Sequence, residues 1–207
     1  MAKKKQTAEV VLVPPISIQT LKLTVRGTTP MIQHRWSEKA KKQMRDKQEG
    51  KAAAHKGRAK RGPKEREQEF IEATYMIDRK AKKPVYGFPA VAFKNAAITA
   101  VSGMAGITKV LTRQAFHIVG EGPDQLVRMK TKPPTMREDM VRVGMGSADL
   151  RYRPEFTEWE AVLEIRLNSD IFTPEQIVNM FQHAGFGVGV GEWRPEKNGM
   201  FGTFECV

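Results

Sequence analysis

The four histidines are the residues of this chain best suited to acid–base or metal chemistry. His34, His55, His117 and His183 lie far apart in the sequence, and none stands at metal-ligand spacing from another His, Cys or carboxylate. We therefore expect no metal and no cofactor. His34, directly before Arg35, is the weak candidate for a general acid or base. Ligand binding is the stronger interpretation of His34, and we expect a protein that is not an enzyme.

Three aromatic residues have arginine neighbours, a combination suited to binding nucleic acid. They are Trp36 beside Arg35, Tyr152 between Arg151 and Arg153, and Trp193 beside Arg194. An aromatic ring next to a cation suits sequence-tolerant binding of single strands, because every base offers a face for stacking and every nucleotide a phosphate. Tryptophans are also common core residues, and Trp159, within an alternating apolar pattern, is predicted to lie in the core.

The positive charge of the chain is concentrated in one segment. The 207 residues include 35 Lys and Arg against 23 Asp and Glu, a net charge of +12. Residues 35–66 hold 13 basic and four acidic residues, a net charge of +9, which leaves only +3 for the rest. Charged segments of this kind are often simply solvated by water. Because most of the net positive charge lies in this one segment, a polyanionic partner is favoured, and nucleic acid is favoured over a membrane surface.

Length and composition indicate one soluble domain. A chain of 207 residues fits a single large domain, with a flexible arm over residues 1–15 and a basic insertion over residues 35–66. Cys206 is the only cysteine, so we expect no disulfide and no cysteine-based metal site. No apolar run approaches the roughly 18 residues of a membrane span. The expected location is the cytoplasm.

The elements that must position these residues follow from hydrophobic periodicity and from turn signals. Alternation predicts a first strand over 16–27, further strands over 113–119, 126–130 and 140–143, a stronger strand over 156–167, and a last strand over 200–207. Helices are predicted over 89–101 and from Thr173 to a stop at Gly185, with helix-favouring residues also over 37–54. A glycine-rich segment, residues 185–194, precedes the last strand.

This order predicts an α+β fold with a ferredoxin-like βαββαβ core. The core has an antiparallel sheet with two helices on one face, a basic insertion after the first strand and extra strands in the middle. The open face of such a sheet is a frequent site of RNA contact.

Two segments resemble a known family. Residues 87–96, GFPAVAFKNA, resemble the start of the first helix in CRISPR backbone subunits of the RAMP superfamily, with Lys94 at the position of that motif's lysine. Residues 90–92 read AVA where the family has Gly-Ser-Ser. The glycine-rich segment, GFGVGVGEWR, is similar to the glycine-rich loop of the same superfamily. The sequence as a whole also resembles conserved bacteriophage proteins of unassigned function.

The resemblance implies a RAMP-like domain that binds RNA or single-stranded DNA without strict sequence preference. It also implies assembly of copies along the strand, or a place in a ribonucleoprotein, in the cytoplasm of a bacterial host. Two alternatives remain open, namely a metal-independent endoribonuclease of the RAMP type and a phage structural protein that condenses DNA.

The predicted nucleic-acid-binding residues combine the basic insertion, the aromatic–arginine groups, the motif lysine and three glycines that would let a strand approach the backbone. They are Arg35, Trp36, Lys39, Lys41, Lys42, Arg45, Lys47, Lys51, Lys56, Arg58, Lys60, Arg61, Lys94, Arg151, Tyr152, Arg153, Gly187, Gly189, Gly191, Trp193 and Arg194.

Overall fold

The computed structural model describes residues 13–49, 65–79, 81, 83–143 and 147–207. Most of the predicted arm and the middle of the basic insertion lie outside these ranges, so the predictions for them stay predictions. The elements in chain order are β1 (Ile18–Gly27), β2 (Met31–Ile32), α1 (Glu38–Gln48), α2 (Arg66–Ala73), β3 (Met76–Asp78), β4 (Val85–Pro89), α3 (Ala90–Ala100), α4 (Lys109–Ala115), β5 (Phe116–Val119), β6 (Leu126–Thr131), β7 (Thr135–Val143), β8 (Ser147–Phe156), β9 (Trp159–Asn168), α5 (Pro174–Gly187) and β10 (Phe204–Cys206).

A seven-stranded antiparallel sheet forms the centre of the molecule. Its strands run in the order β10-β1-β9-β6-β4-β3, and β5 pairs with β9 beside β6. The longest pairing joins β1 to β9, from Ile18 opposite Asn168 to Arg26 opposite Glu160. The alternating side chains of β9 produce this arrangement, because its odd-numbered residues from Trp159 to Leu167 are buried.

The two predicted long helices, α3 and α5, pack together in the buried core. Phe93 of α3 lies edge-on to Phe204 of β10, and Phe181 of α5 lies edge-on to Phe116 of β5. The predicted start of α5 is confirmed by a capping box, in which the Thr173 hydroxyl accepts a hydrogen bond from the Gln176 N–H. Trp159 is buried, as predicted.

Three predicted boundaries are wrong. The last strand, predicted over 200–207, is confined to β10 (Phe204–Cys206). Gly185 does not end α5 but lies buried inside it, where a Cβ would collide with the carbonyl oxygen of Phe204. The predicted strand over 113–119 begins as a helix, because Thr108 caps α4 by accepting a hydrogen bond from the Leu111 N–H at 3.1 Å. Only its second half, β5, is a strand.

A second sheet has the order β2-β8-β7, with β7 and β8 forming a long antiparallel hairpin. The short strand β2 joins the hairpin by pairing Met31 with Phe156. Antiparallel sheets and helices together make this an α+β protein, so the predicted fold class is confirmed at that level. None of the helices described is long and apolar enough to cross a membrane.

Candidate nucleic-acid interface

Three segments that are far apart in the sequence meet around β2. The Gln33 N–H donates to the carbonyl oxygen of Pro154 at 3.0 Å, and the Glu192 N–H donates to the carbonyl oxygen of Ile32 at 2.8 Å. Residues 31–36, 151–156 and 191–194, together called the β2 junction, therefore form one unit. The junction unites all three aromatic–arginine groups that the sequence singles out.

The buried side chain of Gln33 stabilises the junction through hydrogen bonds. Its side chain is fully buried, its Nε2 donates to the carbonyl oxygen of Gly87 at 3.0 Å, and its Oε1 accepts from the Tyr75 N–H at 3.0 Å. A buried amide with both ends paired fixes the backbone on either side of it, because leaving either end unpaired costs about 1–3 kcal/mol. Sequence reasoning missed Gln33, since its partners lie more than 40 residues away along the chain.

Two tryptophans of the junction are exposed. The side chains of Trp36 and Trp193 are 54% and 43% exposed, whereas Trp159 is buried. Trp193 lies in the left-handed backbone region at φ +55°, which is uncommon for a bulky residue. Such a conformation costs on the order of 1–3 kcal/mol and is often found at functional sites. Both rings are thus available to stack on a base.

Arg194, next to Trp193, is held in place by its own turn. Its Nε and Nη2 donate to Glu196 Oε2 at 2.9 and 2.6 Å, and its Nη1 donates to the Gly191 carbonyl oxygen at 3.0 Å. Arg35 is also positioned, with its Nε 3.9 Å from Asp124 Oδ2. Arg194 is therefore a fixed cation beside an exposed aromatic ring, whereas the side chain of Arg35, beside the other ring, is only 16% exposed.

Tyr152 and Arg153 are interior residues of the junction. The Tyr152 ring is 5% exposed, and the guanidinium of Arg66 lies 5.5 Å from its centroid. Arg153 is buried as well, with its Nη1 3.5 Å from Asp139 Oδ2 and its Nη2 3.8 Å from Glu192 Oε2. A direct contact with a strand needs an accessible ring or cation, so we assign these two side chains a structural role and not the predicted contact. The β7–β8 pairing that buries them was not evident from the sequence.

His34 is a poor general base in this setting. Its Nδ1 is buried without a hydrogen-bond partner among the described residues, and burial, with smaller contributions from Arg153 and Arg151, lowers the pKa of the imidazole from 6.5 to about 4. General-base catalysis is most efficient when the pKa is close to the working pH. The neutral, partly buried ring is better suited to supporting the junction than to acid–base chemistry.

The lowered pKa of His34 predicts that acid destabilises the protein. Between pH 6.5 and about 4 the unfolded state binds a proton at this ring and the folded state does not, so the free energy of unfolding falls as the pH falls. Allowing for partial exposure of the ring, the loss is about 2 kcal/mol at most. Denaturant unfolding across this range checks it. His34→Gln should flatten the pH dependence, and an unchanged slope would show that His34 does not cause it.

The basic insertion is described only at its two ends. Helix α1 carries Lys39, Lys41, Lys42, Arg45 and Lys47, and both Lys42 and Arg45 are exposed. The helix-favouring residues noted over 37–54 do form a helix over Glu38–Gln48. The other predicted insertion residues, Lys51, Lys56, Arg58, Lys60 and Arg61, lie outside the described residues.

The three predicted glycines differ in what surrounds them. Gly189 and Gly191 have φ values of +70° and +84°, and a Cβ built on them would lie 2.8 Å from the Cδ of Pro195 and 2.5 Å from the carbonyl oxygen of Ile32, respectively. Their lack of a side chain is therefore explained by the chain's own packing. Only Gly187 has open space at the Cβ position.

Phe186 is an aromatic residue that sequence reasoning missed. It lies in the last turn of α5, directly before Gly187, and its side chain is 87% exposed. An aromatic residue between two glycines was a possible signal, but the predicted helix stop at Gly185 placed it in a loop. Its exposed ring adds a further stacking surface within the glycine-rich segment.

Lys94 acts as a support for α4. Its Nζ donates to the carbonyl oxygen of Arg113 at 2.8 Å, lies 3.4 Å from His117 Nδ1 and stands 5.6 Å from the centroid of the Phe116 ring. Burial lowers the pKa of this ammonium group. The predicted contact between Lys94 and nucleic acid stays a prediction, and the contacts observed join α3 to α4.

The open face of the main sheet does not resemble a stacking platform. On this face β1 and β9 present alternating charged and small side chains and no aromatic ring. Glu160 pairs with Arg26 at 3.1 Å and lies 3.6 Å from the Nζ of Lys130. Sheet faces that bind RNA stack bases on exposed aromatic residues. Exposed aromatic rings are found instead at the β2 junction and at the end of α5.

No family model matches this chain, and a search of curated proteins finds no matching relative.

Proposed function

We propose that this protein binds single-stranded nucleic acid, RNA or DNA, with little sequence preference, at the β2 junction and along α1. One observation carries the proposal: the junction places exposed Trp36 and Trp193 beside the positioned cations Arg35 and Arg194. The basic insertion, with its net charge of +9, starts at the same place. Aromatic rings bind the bases, and the cations bind the phosphates.

The preference for a single strand follows from the rings. Bases within a duplex are already stacked on each other, so an indole ring gains a stacking partner only where the strand is open. Stacking does not read the edges of the bases, which makes such binding tolerant of sequence.

We propose further that the core is ferredoxin-like and related to the RAMP superfamily. The strand order β10-β1-β9 followed by β5 and β6 supports this, because a βαββαβ unit places its last strand next to its first and its third next to its second. Binding of several copies along one strand is part of the same proposal. The stoichiometry on long oligonucleotides would report it.

The two tryptophans provide the direct test of this interface. Trp36→Ala and Trp193→Ala should each weaken binding to an unstructured oligonucleotide by about 1–3 kcal/mol, which is the contribution of one base–ring stack. Fluorescence anisotropy with a labelled oligonucleotide measures the loss. Trp36→Phe and Trp193→Phe are the controls, since they keep a ring and should retain most of the affinity. Parental affinity in both alanine variants would exclude stacking at the junction.

A further inference from the structure

A polar groove lies on the helical side of the molecule, away from the open face of the main sheet. Its volume is about 380 Å³. Asn95 and Thr99 of α3 form one wall, Lys109 and Arg113 of α4 form another, and Gly189 and Arg194 of the glycine-rich segment close the third side. A space of this size accommodates part of a nucleotide chain.

The charge of the groove is positive. Lys109 and Arg113 are exposed and form no ion pair within the described ranges of the chain. The one carboxylate among the lining residues is Glu196, and it is committed to Arg194 at 2.6 Å. Two cations thus face the groove without a neutralising partner, and an anionic ligand would be attracted to them.

Helix α4, which carries Lys109 and Arg113, is held by hydrogen bonds at both of its ends. The Lys94 ammonium group holds the carbonyl oxygen of Arg113, at the end of α4, and the Thr108 hydroxyl caps its start. Both hydrogen bonds fix the backbone of α4, from which the exposed side chains of Lys109 and Arg113 project. Helix α4 is therefore suited to present Lys109 and Arg113 to a phosphate.

The glycine-rich segment connects the groove to the β2 junction. Gly189 and Arg194 line the groove, while Glu192 between them is hydrogen-bonded to Ile32 of the junction. Trp193, exposed, lies next to Arg194 on this connection. Trp193 is thus one residue away from Arg194, which lines the groove.

We propose that the groove binds phosphodiester groups of the same strand, which runs from the β2 junction over the glycine-rich segment to Lys109 and Arg113. This inference rests on the proposed function and adds to it a second anchoring point with two named phosphate contacts.

The double variant Lys109→Ala/Arg113→Ala tests the groove. Each phosphate contact on a single strand contributes about 0.7 to the slope of log affinity against log salt concentration, so the slope should fall by about 1.4 and the affinity roughly 25-fold at 0.1 M salt. Both side chains are exposed, and Arg113→Ala keeps the carbonyl oxygen that Lys94 uses, so the fold should persist. The matched control is Lys22→Ala/Arg166→Ala, which removes the same charge from the open sheet face and should change the slope far less.

Each result decides between the groove and its alternatives. Equal losses in the test and control pairs would mean that only net charge matters and would overturn the groove, and so would a parental slope in the test pair. In both cases binding by the parent would leave the proposed function standing, whereas a parent that binds no single strand would overturn both. Adenosine monophosphate should compete weakly. If it binds the parent as tightly as the oligonucleotide does and the test pair abolishes that binding, the groove is a pocket for free nucleotides instead.

Discussion

Replacing residues 38–65 by a short Gly/Ser linker should remove most of the affinity for nucleic acid and leave a folded core. This segment contributes 11 of the 35 basic residues and a net charge of +7. If only about five of its cations contact phosphates, the salt slope falls by about 3.5 and the affinity roughly 3 × 10³-fold at 0.1 M salt. The core should persist, because no side chain described between positions 38 and 65 is buried. Arg66 is retained because its guanidinium lies over the ring of Tyr152.

Salt-dependent anisotropy and thermal unfolding of the deletion variant check both halves of this prediction. The matched control is a variant in which the residues of the insertion are placed in a shuffled order with the same composition. If the binding is electrostatic, this variant should keep the parental slope of log affinity against log salt concentration. Loss of cooperative unfolding would show that the segment belongs to the core. An unchanged slope in a folded variant would instead assign the insertion to a protein partner.

Gly189→Val should destabilise the protein by at least about 1–3 kcal/mol. That range covers the backbone strain of a valine held at φ +70°, where β-branched residues are rarely found. The added side chain would also lie 2.8 Å from the Cδ of Pro195 and 3.0 Å from the carbonyl oxygen of Gly202. Melting curves measure the loss. Because Gly189 also lines the groove, its binding is compared separately, at a temperature where the variant is still folded.

Gly187→Ala is the matched control within the same segment. Gly187 lies in the last turn of α5, with no atom within 4 Å of the Cβ position, so alanine should be neutral or slightly stabilising there. If Gly189→Val melts like the parent, the assigned conformation of this segment is wrong. Weakened binding by Gly187→Ala at unchanged stability would indicate that a strand approaches this point.

Secondary-structure elements that are determined by neighbouring residues could be predicted from the sequence. The alternation from Trp159 to Leu167 specified β9 and its buried face, and Thr173 with Gln176 specified the start of α5. The same alternation placed Trp159 in the core, where it is buried; of the three aromatic residues assigned to binding, Trp36 and Trp193 are exposed and Tyr152 is not. Such features depend on neighbours within a few residues, so a single sequence suffices for them.

Features set by distant partners could not be predicted in this way. Strand β8 contains four charged residues and Pro154, and it is a strand because β7 pairs with it from Ser147 to Glu155. That pairing buries the guanidinium of Arg153 3.5 Å from the carboxylate of Asp139, although the sequence around Arg153 resembles an exposed basic stretch. Gly185 resembles a helix stop, but the close approach of β10 makes it a packing position inside α5. Tertiary contacts overrode local preference in each case.

Sequence-tolerant binding of an open strand is tested most directly by one competition experiment. Unstructured oligonucleotides of different sequence, and a duplex of the same length, would compete for the full-length protein over a range of salt concentrations. We expect the single strands to bind within a few-fold of each other and the duplex more weakly, with affinity falling steeply and linearly on a log–log plot against salt. Tighter binding of the duplex, or no binding of any strand at low salt, would contradict the account.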